Sequence, residues 1–305
     1  MTAVGIDLGG TKIATQIFDG DWNVVDQQRV KTPKSYDDLV TAIAQQVAWA
    51  DAKTGDRSPV GIGAAGLVNP QTGLALTANL PATGLPLPAD INAAVGRHVE
   101  YVNDCRALAL SEAVFGAGRD HHTVMSLILG TGVGGGVAIG GELLNGPLMT
   151  GGEFGHLSAS AAMVTAHNLP VVRCGCGRMG CIETYIAGGG LTRVAETIMG
   201  QTLSPPDVIS ARTTDDNALK AWRIWCDFTA DLLRNLTLTL DPDIIVLGGG
   251  LSTIDGVCDD LKVALKAAQF DGYGTAPIVP AQGGPESGAR GAAYAAVIAE
   301  TGART

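Results

Sequence analysis

Residues 4–19 read VGIDLGGTKIATQIFD. An apolar run strikes Gly9-Gly10 and a second run leaves it, which predicts a strand, a glycine turn and a returning strand. The same plan recurs about 120 residues on, where residues 123–141 read TVMSLILGTGVGGGVAIGG. Two hairpins of one design predict an internal duplication, two α/β halves with a cleft between them. The competing reading is that any α/β chain carries several glycine-ended strands.

The segments between these hairpins support an α/β chain. Residues 37–52, DDLVTAIAQQVAWADA, place apolar side chains at helical spacing, and PVGIGAAGLVN at 59–69 reads as a strand ending in glycines. HVEYVNDCRALALSEAVFGAG at 98–118 predicts a strand running directly into a helix. Residues 218–239 form a long amphipathic candidate, followed by PDIIVLGGGLS at 242–252, a strand striking a triple-glycine turn. SPP at 204–206 reads as a turn. Strands alternating with helices are the signature of the α/β class.

Bulk properties narrow the function. A chain of 305 residues exceeds one ordinary compact domain, so two domains are expected. The net charge of -10 argues against a nucleic-acid partner, which requires clustered Lys and Arg. Of the six cysteines, Cys174, Cys176 and Cys181 cluster, while Cys105, Cys226 and Cys258 are scattered. That is no secreted disulfide framework. The start MTAVGIDLGG has no basic leader before an apolar segment, and the glycines at 130–141 interrupt the most apolar run. A cytoplasmic chain with no membrane partner is expected.

Residues 130–135 match the dinucleotide fingerprint G-x-G-x-x-G letter for letter, but the VAIGGELL that follows reads as extended, whereas the fingerprint opens a helix. Asp7-Leu8-Gly9-Gly10-Thr11-Lys12 lacks the spacing of a phosphate loop. Both are turns with little side-chain bulk and free backbone N–H groups, able to wrap phosphate oxygens. Thr11 and Thr131 add hydroxyls and Lys12 a charge, while Gly248 to Ser252, with Gly249, Gly250 and Leu251, offers a flat surface for a base or ribose. Two phosphate turns and a base turn together imply a nucleoside triphosphate.

Asn103-Asp104 stands where a strand gives way to a helix, so Asp104 is either a helix cap or a general base that accepts a hydroxyl proton during phosphoryl transfer. Asp7 is placed to hold Mg²⁺ through water. Glu153, His156 and Glu183 are fit to pin hydroxyls. Cys174, Cys176 and Cys181 with one histidine, His156 or His167, form a closed zinc set with no water position, so the metal is structural. His98, His121 and His122 are expected at the surface.

These elements resemble the ROK family of bacterial sugar kinases over nearly the whole chain, closest to the members that act on N-acetylglucosamine. The matching stretches are DLGGTK at 7–12, GAAGLVNPQTG at 63–73, NLP at 79–81, ND at 103–104, GTGVGGG at 130–136, GEFGH at 152–156, CGCGRMGCIE at 174–183, DPDIIVLGGGLS at 241–252 and SGARGAAY at 287–294. The resemblance implies an actin-like ATPase (ribonuclease H-like) fold in two lobes. One lobe is expected over 1–119, rejoined by a C-terminal helix at about 290–305, and a larger one with the zinc loop over 120–289. It also implies MgATP, a homodimer, Asp104 as base and His156 as a zinc ligand beside the sugar. Gly66, Asn79, Asn103, Asp104, Glu153, His156 and Glu183 would surround a sugar phosphorylated at its 6-hydroxyl. N-acetylglucosamine is the expected substrate, with glucose, fructose, mannose and N-acetylmannosamine as alternatives. A sugar-responsive repressor of the same fold would carry a helix-turn-helix before the first glycine turn, and DLGGTK at residue 7 leaves no room for one. Two departures stand out: Cys105-Arg106 where the family pattern has Ala-Asn, and GPESG at 284–288 in place of G-D-x-S-G.

Overall fold

The computed structural model describes residues 1–284 and 287–302. The first hairpin forms as the sequence predicts: β1 (Ala3–Leu8) pairs antiparallel with β2 (Lys12–Phe18), which pairs with β3 (Val24–Lys31). The chain continues through α1 (Tyr36–Thr54), β4 (Val60–Ala64), the short ribbon of β5 (Leu67–Val68) and β6 (Ala75–Leu76), α2 (Leu87–Val95), β7 (Glu100–Asn103) and α3 (Asp104–Phe115). The second half holds β8 (Thr123–Leu129), β9 (Val133–Ile139), β10 (Glu142–Leu143), α4 (Ala161–Ala166), α5 (Glu183–Ile186), α6 (Gly188–Met199), α7 (Pro205–Ala211), α8 (Asp216–Leu240), β11 (Ile244–Gly248), α9 (Val257–Ala268), β12 (Ile278–Pro280) and α10 (Ser287–Thr301).

The chain divides into two compact units: residues 1–122, 136–151 and the C-terminal segment from Gln282, and residues 123–135 with 152–281. The sheet orders are β3-β2-β1-β4-β7 and β10-β9-β8-β11-β12. In each, the leading strand of the hairpin has a parallel neighbour on its other side, β4 on β1 and β11 on β8. The duplication expected from the two glycine turns is therefore a duplication of topology.

In the first unit one sheet face is covered by α1 and α2. Ile6, Leu8, Ile13, Ile17 and Ile62 pack there with Leu39, Ile43 and Val47 in a core shut off from solvent. α1 starts where Ser35 accepts from the Asp38 N–H and stops at left-handed Gly55. The other face lies against α10, whose small residues let the backbones approach closely. A Cβ on Gly61 would stand 1.8 Å from the Ala292 carbonyl oxygen, so only glycine fits.

Two local expectations change. The SPP segment opens α7: Ser204 is its N-cap and Pro205 its first residue, because the N–H that proline lacks has no helical partner in the first turn. At α3 the capping side chain is Asn103, not Asp104. Of the GPESG departure, Pro285 and Glu286 lie outside the described residues, as do Ala303 to Thr305.

Candidate active site

In the first unit the predicted residues gather around the C-terminal ends of β1 and β7. The Gly9 N–H donates to the Lys12 carbonyl at 3.0 Å and closes the first glycine turn. Thr32, buried and 23 residues away, holds that turn from behind: its Oγ1 donates to the Gly9 carbonyl at 2.6 Å, and its N–H donates to the Thr11 carbonyl at 3.1 Å. Nothing local in the sequence points to Thr32. Asn79 lies against the same turn, so close that a Cβ on Gly10 would sit 2.8 Å from the Asn79 Cβ.

Asn103 keeps one amide hydrogen for a ligand. Its Oδ1 accepts from the N–H groups of Cys105 and Arg106 at 3.0 and 3.2 Å, and one of its amide hydrogens goes to the Gly66 carbonyl at 3.0 Å. Asp104 follows as the first residue of α3, and its Oδ1 accepts from the Cys105 N–H at 2.9 Å. Burial pushes the Asp104 carboxyl above the ordinary carboxylate range against these hydrogen bonds. Asp7, at the end of β1, is raised by burial first and by the Asp104 charge second, with Lys12 pulling the other way. Burial and the Asp104 charge likewise raise the Tyr101 hydroxyl. Two carboxylates and a cation that sense one another are the arrangement that acid–base work and cation binding require. Tyr101 escaped the sequence reading, although strand alternation places it on the face of β7 shared by Asn103.

Arg106 is not a charge projecting beside the helix. It is only 5% exposed, and its guanidinium donates through Nε to the Gly151 carbonyl at 2.9 Å and through Nη2 to the Met149 carbonyl. A second buried polar tie on α3 is Glu112, whose carboxylate accepts from the N–H groups of Gln282 and Gly283 and from the Ser287 hydroxyl. It fastens the chain where it re-enters the first unit.

In the second unit the Gly130 N–H donates to the Gly132 carbonyl, and the strand β9 follows where a dinucleotide motif would start a helix. Glu183 opens α5 and reaches this turn, with Oε2 3.4 Å from the Val133 N–H. His156 lies between two carboxylates: its Nε2 is 3.7 Å from Glu153 and its Nδ1 3.6 Å from Glu183. Gly249, Gly250 and Leu251 follow β11 in a short helical turn.

The cysteine loop resolves the choice of histidine. Ligand atoms of His156, Cys174, Cys176 and Cys181 all lie within 4.8 Å of one another, and His167 is not among them. The Cys176 and Cys181 sulfurs are 3.6 Å apart, and the Cys174 sulfur is 3.5 Å from His156 Nδ1. The edge of a tetrahedral zinc–thiolate site is about 3.8 Å, so the donor set fits zinc in both chemistry and spacing. With four protein ligands the metal would have no open position and would tie the Glu153 turn to Glu183. No helix among the described residues is long and apolar enough to cross a membrane.

Residues 3–298 match the sequence pattern of the ROK family. The chain is 42% identical to an N-acetylgalactosamine kinase of Shewanella sp. (strain ANA-3) over 292 residues, 95% of this chain and 94% of that protein. It is 40% identical to an N-acetyl-D-glucosamine kinase of Pectobacterium atrosepticum over 294 residues, 95% of this chain and 97% of that protein. Among solved structures it resembles a ROK hexokinase from Thermus thermophilus, with a TM-score of 0.87, 31% identity and coverage of 99% and 100% of the two chains. It also resembles a ROK family glucokinase from Streptomyces griseus, in complex with glucose and AMPPNP, with a TM-score of 0.77, 29% identity and coverage of 97% and 99%.

Proposed function

The chain belongs to the ROK family, with the actin-like ATPase fold of its sugar kinases, and we propose that it phosphorylates N-acetyl-D-glucosamine at the 6-hydroxyl with MgATP. The observation that carries this reading is the Asp104 carboxylate at the head of α3, held above its ordinary range by burial and coupled to Asp7 near the first glycine turn. A carboxylate so raised is a stronger base than an ordinary aspartate. Asp104 accepts the proton of the 6-hydroxyl as that oxygen bonds to the γ-phosphorus. The bond from the γ-phosphorus to the β–γ bridging oxygen breaks, and ADP leaves. Phosphoryl transfer asks the protein chiefly for positioning and charge stabilisation.

In the first unit Gly9, Gly10, Thr11 and Lys12 would meet phosphate oxygens, Asp7 would hold Mg²⁺ through water, and Gly66, Asn79 and Asn103 would line the sugar. In the second unit Gly130, Thr131 and Gly132 would meet phosphates, Gly249, Gly250 and Leu251 the nucleoside, and Glu153, His156 and Glu183 the sugar hydroxyls. Zinc on His156, Cys174, Cys176 and Cys181 would supply rigidity alone. The lobes of this reading are built from 1–119 with the C-terminal helix and from 120–289; the compact units divide differently, with residues 136–151 and the segment from Gln282 in the first. A cytoplasmic homodimer belongs to the same proposal, and light scattering of the purified protein tests the dimer.

A second sugar is favoured by one specific observation, the 42% identity to an N-acetylgalactosamine kinase. It differs from N-acetylglucosamine only in the configuration at carbon 4. The deciding experiment is MgATP-dependent ADP release on a panel of N-acetylglucosamine, N-acetylgalactosamine, N-acetylmannosamine, glucose, mannose and fructose. Highest kcat/KM on N-acetylglucosamine upholds the proposal. Preference for N-acetylgalactosamine replaces the sugar and leaves the chemistry, whereas silence on every sugar overturns both.

A further inference from the structure

A hollow in the first unit is lined by Gly66, Leu67, Val68, Tyr101, Asn103 and Met149, with Arg106 in its wall. Its cavity volume is about 30 Å³, far below the roughly 300–1,000 Å³ of a pocket for a whole ligand. It therefore suits a substituent and not a sugar ring. Its lining is divided: Leu67, Val68 and Met149 are apolar, while Tyr101 and Asn103 bring hydrogen-bond donors. The Tyr101 hydroxyl makes no hydrogen bond among the described residues, and one N–H of the Asn103 amide remains after the bond to Gly66.

One wall of this hollow is in an unusual state. Met149 has a φ of 53°, a left-handed conformation that a residue with a side chain adopts at a cost. The guanidinium of Arg106 grips the chain at Met149's own carbonyl and, two residues on, at the Gly151 carbonyl. A strained residue that persists because its surroundings over-determine it is typical of a ligand clamp. The gripping residue stands at the position where this sequence departs from the family pattern.

We propose that this hollow is an acyl subsite, which takes the N-acetyl group of a hexosamine, and that Arg106 is the positioning residue that holds Met149 as its wall. The acetyl methyl packs on Leu67, Val68 and Met149, and its carbonyl oxygen accepts from Tyr101 or Asn103. A free hexose leaves the hollow without an apolar occupant, so discrimination follows from the lost contact. This deepens the N-acetylhexosamine reading and rests on it.

The test compares kcat/KM for N-acetylglucosamine with that for glucose in the wild type and in Arg106→Ala, Arg106→Lys, Met149→Gly and Met149→Leu, with melting temperature and zinc content as controls of folding. Arg106→Ala and Met149→Gly should lower the ratio at least about tenfold, through KM for the acetylated sugar, because a buried group or contact worth 1–3 kcal/mol is lost. KM for MgATP should stay within threefold, Arg106→Lys should recover part of the ratio, and Met149→Leu most of it. In the wild type, N-propionyl and N-butyryl glucosamine should be progressively rejected, and Met149→Gly should readmit them, which tests the subsite even if Arg106→Ala does not fold. A wild type that prefers glucose sinks the acetylated substrate itself. A wild type that prefers N-acetylglucosamine, with folded variants of unchanged ratio and no penalty for longer acyl chains, sinks only the subsite.

Discussion

Asp104 is destabilising where it stands, and its proposed role gives the reason for keeping it. Its carboxyl titrates above the ordinary range when folded. Between the ordinary and the raised value the unfolded chain has released its proton and the folded chain has not, so stability falls as pH rises through that window and stays reduced above it. Asp104→Asn should therefore lower kcat about 10²–10⁴-fold while raising the melting temperature at pH 7.5. The thermal gain should vanish near pH 3.5, which calorimetry at two pH values can read; a loss of stability at pH 7.5 would contradict the burial argument. The acid limb of kcat/KM should lie above the usual aspartate range. Thr32 acts at the same scale. Thr32→Val removes the hydroxyl that holds Gly9, and a hydrogen bond worth about 1 kcal/mol predicts about a fivefold rise in KM for MgATP, with Thr32→Ser near wild type. An unchanged KM in Thr32→Val would mean that the Thr32 N–H alone fixes the turn. Asp104 was legible in the sequence because its chemistry is local to a strand–helix junction. Thr32 was not, since its partner lies 23 residues away.

At the scale of elements, the cysteine loop joins a helical turn carrying His156 to the start of α5 carrying Glu183. Both carboxylates proposed to read the sugar border residues of the donor set. Cys181→Ser should eliminate the one zinc per chain expected from elemental analysis, and it should raise KM for the sugar about 10–100-fold with a smaller change in KM for MgATP. Retained zinc with normal sugar binding would remove the loop from the site. The sequence supplied three of the four donors through spacing alone and left His156 and His167 open as the fourth; the family resemblance pointed to His156, and the fold places it within reach of the thiols. The end of α3 teaches a related lesson. Asn103 and Asp104 are both good capping residues, and β7 delivers Asn103 in the extended conformation that a cap requires, so the neighbouring Asp104 enters the first helical turn.

At the scale of the molecule, the first unit depends on a helix that arrives from the far end of the chain. α10 runs along the sheet and α3 with almost no side-chain bulk between the backbones. Gly61→Ala would drive a methyl into the Ala292 carbonyl, and it should cost at least about 3 kcal/mol, beyond the usual range for a point substitution. Urea denaturation of the variant measures this, and a change below 1 kcal/mol would show that α10 can move away. By itself the sequence determined the two glycine hairpins, their repetition, the α/β class and the types of residue proposed to carry the chemistry, because each depends on short-range periodicity and on side-chain chemistry. Only the tertiary structure decided that Thr32 supports the first turn, that Arg106 is buried on the 149–151 backbone, and that His156 rather than His167 lies within reach of the three thiols. Those outcomes are set by which distant segments pack together, and a buried polar group must take its partner from wherever packing brings one.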